Sequence, residues 1–206
     1  MPVICDEQLA WHEAGHATMG WLLGYRVACV RLASKGNYCG WTDFGRCTAG
    51  LRSAIWDARR VCPEIEAALE ILIALAGGQA EELTAPCAHF SWYDRLAIAK
   101  ILDTDLGCRT DSERRQILNP LIWICDRLVE AQRHRIDALA QALLADGKVV
   151  QADIRRILGQ RTTPVRSVIF EVLAALEHAD LEEQRQATWR SARDDVSVLP
   201  RALLRA

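Results

Sequence analysis

The longest apolar stretch in the sequence, from Leu69 to Ala76, contains Glu70 and is far shorter than the roughly 20 residues a spanning helix needs. The first residues, MPVICDEQLA, lack a basic region followed by an apolar one, the form of a secretory signal. Together these absences lead us to expect a cytoplasmic protein without a membrane span. No C-x-x-C pair occurs: Cys5, Cys29, Cys39, Cys47, Cys62, Cys87, Cys108 and Cys125 are spread along the chain. Cysteine-built zinc sites use closely spaced ligand pairs, so the expectation is reduced, mostly buried thiols. A positive stripe is also missing, since 25 Lys and Arg are scattered among 27 Asp and Glu for a net charge of -2. Without such a stripe the electrostatic attraction that drives phosphate-backbone binding is absent, which excludes nucleic acid as a partner.

What is present is the composition of an ordinary globular protein: half of the 206 residues are apolar and a quarter charged, enough for one good core with an appendage. Asp6 to Leu23 reads as a helix, with Asp6 available as N-cap and Gly24 as its stop. Arg26 to Leu32 alternates like a strand, Ser34 to Asn37 is turn-forming, and Tyr38 to Phe44 resumes an extended pattern. From Pro63, apolar residues recur at helical spacing through Ile65, Leu69, Leu72, Ile73, Ala76 and Ala80. Ser91 starts another helix that runs to about Leu106. Asn119-Pro120 opens a long one that ends at Asp146-Gly147, and a short helix follows around Ala152 to Leu158. Gly159 to Pro164 reads as a linker, Val168 to Leu176 as apolar apart from Glu171, and Leu181 to Asp195 as charged and helix-prone. The expected architecture is mainly α with a small β-hairpin or sheet near the N-terminus. Residues 1–159 form the principal domain and residues 160–206 a helical extension.

The chemistry concentrates in the first helix, at His12-Glu13-Ala14-Gly15-His16. Residues four apart lie on one helix face, so His12 and His16 can each present a ring nitrogen to one zinc ion. In sites of this pattern the glutamate after the first histidine stands over the metal-bound water and acts as its general base, a role that falls to Glu13. Zinc lowers the pKa of its water toward about 7 and polarises a carbonyl, which suits amide hydrolysis. Ala14 and Gly15 are small enough for a helix face that lies close against a substrate strand or the core. A catalytic zinc requires a third protein ligand. Spacing alone leaves Glu64, Glu70, Glu81, His89 and Asp94 as alternatives.

Trp11 to Ala17 (WHEAGHA), Ala76 to Glu82 (AGGQAEE) and Ser91 to Asp94 (SWYD) together resemble, in order and spacing, the peptidase domain of the FtsH family of ATP-dependent zinc proteases. Leu139 to Leu144 (LAQALL) and the closing stretch Val149 to Ile157 are similar to the end of that domain, so the resemblance covers about residues 6–158. It implies a helical zincin-type fold, Zn2+ as cofactor, and Asp94 as the third ligand. It also implies a supporting carboxylate near the zinc histidines at Glu81, and a strand beside the site, Tyr38 to Phe44, on which Gly40 and Trp41 would meet an extended substrate. Where the family shows Ser-Asn-Asp followed by an aliphatic residue, this chain has Tyr93 before Asp94 and Arg95 after it. Ser91 to Asp94 also fits the [S/T]-x-x-[D/E] capping pattern, in which Asp94 returns a hydrogen bond to the backbone.

No G-x-x-x-x-G-K-[ST] phosphate loop is found, so the family's unfolding motor is not expected here, nor its membrane anchor. The function implied is a zinc-dependent endopeptidase acting on unfolded proteins or peptides through Glu13, either as a ring of identical subunits or with a separate ATPase partner. The alternative is a catalytically silent FtsH-like binding or regulatory module. Trp11, like Trp41, is a candidate groove residue, the other tryptophans being read mostly as core or interface anchors, while His134 and His178 lie on charged helix stretches and are expected to be exposed.

Overall fold

The computed structural model describes residues 6–32, 40–45, 55, 62, 64–84, 91–160 and 165–179. Its centre is α1 (Asp6–Leu22), in which every residue from Ala10 to Leu22 is buried. A helix covered on all sides needs small residues where its neighbours come close. At Gly15 a Cβ would lie 2.4 Å from the Ala76 carbonyl oxygen and 2.7 Å from the Ala80 Cβ, so only glycine permits this approach. Gly24, at φ 94, ends the helix in the left-handed conformation that glycine adopts without strain.

The chain then forms β1 (Arg26–Leu32) and β2 (Gly40–Gly45), paired antiparallel with Val30 opposite Thr42. A third strand, β3 (Lys148–Val150), pairs antiparallel on the other side of β1 with Val149 opposite Val30, giving the order β2-β1-β3. The sequence did not disclose β3, because three residues are too few to display a period of two. The turn expected at Ser34 to Asn37, and Tyr38, lie outside the described residues.

The buried α2 (Ile65–Glu82) packs against α1, and α3 (Trp92–Thr104) lies on α2 with only Ile98 and Leu102 buried. One expectation is corrected here. Instead of a single helix opened by Pro120, the chain forms α4 (Asp111–Ala131), with Pro120 inside it, and α5 (Arg133–Asp146). The start is set by a reciprocal capping box in which the Thr110 hydroxyl accepts from the Glu113 backbone N–H and the Glu113 carboxylate accepts from the Thr110 backbone N–H. The break at Gln132 follows from tertiary demand: α4 packs on α2 while α5 packs on α1, and one straight helix cannot follow both. Gly147, at φ 68, closes α5.

After β3 come α6 (Gln151–Leu158) and a last described helix, α7, over residues 165–179. The α7 residues Val168, Ile169, Val172, Leu173 and Leu176 join the same core as Leu22, Leu69, Leu72, Leu128 and Leu139. Each fully buried leucine of that core stabilises the fold by about 1.5–3 kcal/mol. The architecture is therefore mainly helical with a small antiparallel sheet, as the sequence led us to expect. No helix among the described residues is long and apolar enough to cross a membrane. Cys29, Cys62, Cys108 and Cys125 are free thiols, the last two buried; the segment Leu181 to Asp195 lies outside the described residues.

Candidate metal centre

One turn apart on α1, His12 and His16 bring their Nε2 atoms to 3.0 Å of each other. From the first turn of α3, Asp94 places Oδ2 2.9 Å from His12 Nε2 and 3.4 Å from His16 Nε2. The outer ring nitrogens fix what these atoms are. His16 Nδ1 lies 2.7 Å from the Ile73 carbonyl oxygen, which only accepts, so Nδ1 carries the hydrogen and Nε2 a lone pair. His12 Nδ1 donates to Glu81 Oε1 at 2.6 Å, leaving its Nε2 as an acceptor whenever the ring is neutral. With both rings neutral, three acceptors converge in this corner, an arrangement that is repulsive unless a cation, a proton or a metal ion, joins them. Donors bound tetrahedrally to zinc at about 2.0–2.1 Å stand roughly 3.3 Å apart, close to the separations found here. The donor set, two imidazoles and one carboxylate, is also one that zinc accepts.

Electrostatics give the same reading. Burial alone would lower the pKa of His12, yet the contacts with Asp94 and Glu81, together with the charge of Glu13, overcome it and raise the value to about 10. Burial likewise pushes the Asp94 carboxyl up, but the two imidazoles beside it win and hold it well below the usual carboxylate range. A positive charge at the meeting point is what the surroundings favour, whether a proton or a metal supplies it. Ser91 makes no side-chain capping hydrogen bond.

Glu13 points to the sheet side of the same corner. Its Oε2 accepts a hydrogen bond from Thr42 Oγ1 at 2.9 Å, and a Cβ on Gly40 would come within 2.5 Å of its Cγ and 2.8 Å of Oε1. Burial is the largest influence on this carboxyl and raises its pKa, against the pull of His16, His12 and the Thr42 hydroxyl. Around these groups opens a cleft of about 660 Å³ whose walls include Gly40, Trp41, Thr42, Glu70, Trp92 and Tyr93. Its mouth is aromatic: Trp41, Trp92 and Tyr93 are 40%, 73% and 78% exposed, and the Arg31 guanidinium lies 3.8 Å over the Trp41 ring.

The structure therefore brings His12, Glu13, His16, Glu81, Asp94, Gly40 and Trp41 to one cleft. Trp11 is not there, being buried and lining a different hollow with Arg133 and His134. The expectation that it faces the groove is corrected, because the α1 face carrying Trp11 turns away from β2. Trp92 and Trp123 are largely exposed, so neither is a core anchor in this chain. Glu64 lies in another hollow beside Cys62, His134 and His178 are exposed, and His89 is outside the described residues.

Sequence reasoning missed Thr42 and Gly77. A Cβ at Gly77 would sit 2.5 Å from His16 Nε2 and 2.8 Å from His12 Cε1. The signal in the sequence was a Gly-Gly pair inside an apolar helix, where each glycine costs about 1 kcal/mol relative to alanine and so has to be offset by close approach. Gly77→Ala is accordingly expected to weaken zinc binding about 5- to 150-fold, since an intruding methyl that shifts packed groups costs about 1–3 kcal/mol. Competition against a chelating dye measures it, and an unchanged affinity would show that the imidazoles have room to spare.

No protein family model matches the chain. Among curated proteins it is similar to the ATP-dependent zinc metalloprotease FtsH of Rhodothermus marinus, 26% identical over 191 residues that take in 75% of this chain and 26% of that protein. It is also similar to the mitochondrial inner membrane m-AAA protease component YTA10 of Saccharomyces cerevisiae, 24% identical over 195 residues, 79% of this chain and 25% of that protein. The chain spans about a quarter of the length of these relatives. These similarities make it a distant relative of FtsH-type proteases.

Proposed function

We propose that the chain is a zinc-dependent endopeptidase that hydrolyses peptide bonds in unfolded proteins or peptides, with His12, His16 and Asp94 as metal ligands and Glu13 as general base. The observation that carries this reading is the convergence of three atoms able to ligate a metal, within 4.8 Å of one another, beside a buried carboxylate that is not one of them. Zinc held there supplies Lewis acidity, lowering the pKa of a water toward about 7 and polarising the substrate carbonyl. Glu13 takes a proton from the attacking water and returns it to the leaving nitrogen. Its raised pKa moves it toward the range where a carboxylate both accepts and gives up a proton at neutral pH. Glu81 and the Ile73 carbonyl hold the two imidazoles in the tautomer that turns Nε2 inward.

Substrate recognition falls to β2, an edge strand among the described residues. An extended peptide can add to such an edge by main-chain hydrogen bonds, with Gly40 leaving the approach to Glu13 open and Trp41 offering an apolar surface at the mouth. The relatives' names, zinc metalloprotease and protease component, support peptide hydrolysis. Work on folded substrates would call for an ATPase supplied by other chain segments or another protein, and a ring of identical subunits is the assembly we propose.

The test uses the purified chain with and without zinc. We expect one zinc per chain, cleavage of a casein-like unfolded protein, loss of cleavage with a chelator and its return on adding zinc. A chain that holds one zinc and leaves unfolded protein intact is a silent binding module, and the peptidase reading is then wrong.

A further inference from the structure

We propose that Thr42 is a positioning residue for the reaction, holding the Glu13 carboxylate in one orientation from the neighbouring strand. The inference rests on the peptidase reading above and concerns how the base is aimed. Glu13 and Thr42 come from different elements, the central helix and the edge strand, and touch at two points: Thr42 Oγ1 lies 2.9 Å from Glu13 Oε2 and 3.2 Å from the Glu13 backbone oxygen. One hydroxyl hydrogen serves one acceptor at a time, and the carboxylate, being charged, is the stronger.

The hydroxyl is itself rigidly placed. Thr42 stands opposite Val30 in the ladder, and Val30 is completely buried and paired on its other side with Val149. The residue therefore occupies the middle of the three β2 positions whose β1 partners are also paired to β3. Its β-branched side chain has restricted χ1 freedom, so a fixed backbone fixes the oxygen. Gly40, two residues earlier on the same face of β2, completes the device. Its missing side chain leaves space beside Glu13 Cγ and Oε1. One carboxylate oxygen is tethered and the other is left unobstructed. A base held this way loses no time in unproductive rotamers, a kind of alignment whose loss costs rate more than binding.

The experiment compares Thr42→Val, which keeps the shape and removes the donor, with Thr42→Ser, which keeps the donor, in the zinc-loaded full chain. Thr42→Val is expected to lower kcat on unfolded casein about tenfold with KM unchanged, and Thr42→Ser to recover most of the loss. Zinc content stays at one equivalent in both. A second readout is independent of activity: Thr42→Val lowers the melting temperature by about 4 °C in the parent, but by only about half as much in a Glu13→Ala background, where the carboxylate is gone and the backbone oxygen of residue 13 is the acceptor left. Equal drops in the two backgrounds, or parental kcat in Thr42→Val, would overturn the inference. A parent that binds zinc and cleaves nothing removes the peptidase reading together with the kinetic role, while the melting cycle still decides whether Thr42 holds Glu13.

Discussion

Glu13→Gln is expected to lower kcat for cleavage of unfolded protein by about a thousandfold or more while zinc stays at one equivalent per chain. The substitution keeps nearly the same volume in a site where burial is almost complete, and the amide oxygen can still accept from Thr42 Oγ1. What it removes is the ability to take up and release a proton, a function worth about 10²–10⁴ in rate. Because Glu13 stands beside the three converging donors and is not one of them, the metal has no reason to leave. Metal analysis and kinetics on the same preparation separate the two effects. Parental cleavage by the Glu13→Gln protein would falsify the assignment of Glu13 as base, and loss of zinc would show that its carboxylate helps hold the ion.

The sequence disclosed those parts of the fold and site that depend on local periodicity. His12 and His16 share a face because four residues make roughly one helical turn, and Arg26 to Leu32 reads as a strand because its side chains alternate. The features set by tertiary contact were less visible. Gln132 is neither glycine nor proline, yet the helix breaks there because α4 and α5 cover different partners. β3 exists because Val149 completes a ladder with Val30, and its three residues would mean nothing alone. Thr42 and Gly77 belong to the site because the β1–β2 pairing and the α1–α2 packing bring them to Glu13 and to the two imidazoles. Trp11 illustrates the converse: proximity in sequence to His12 put it near the groove, but a helix face separates neighbours by about 100°, and it is buried elsewhere. Spacing left five residues as alternatives for the third donor. Only a resemblance singled out Asp94, whose oxygen lies 2.9 Å from His12 Nε2.

Asp94→Ala is expected to weaken zinc binding by several hundredfold. Apparent zinc binding energies of about 10–16 kcal/mol in four-ligand sites leave roughly 2.5–4 kcal/mol per ligand, and about 1.4 kcal/mol is a factor of ten. Glu81→Ala, which removes only the acceptor behind His12 Nδ1, should cost about 10–100-fold. The order of the two effects matters more than either size, because a purely structural Asp94 would not outrank Glu81. The pH dependence supplies an independent check. With its pKa raised to about 10, His12 is protonated at neutral pH, and a metal must displace that proton. Parental zinc affinity should therefore rise about tenfold per pH unit between roughly pH 7 and 9. Asp94 is among the groups that raise the pKa of His12, so its removal should move the window in which affinity depends on pH to lower values. A chelator-competition titration at several pH values measures both quantities together. If Asp94→Ala keeps parental affinity and the parental pH window, the third ligand has to be sought elsewhere along the cleft, where, among the described residues, Glu70 is a carboxylate given no other role.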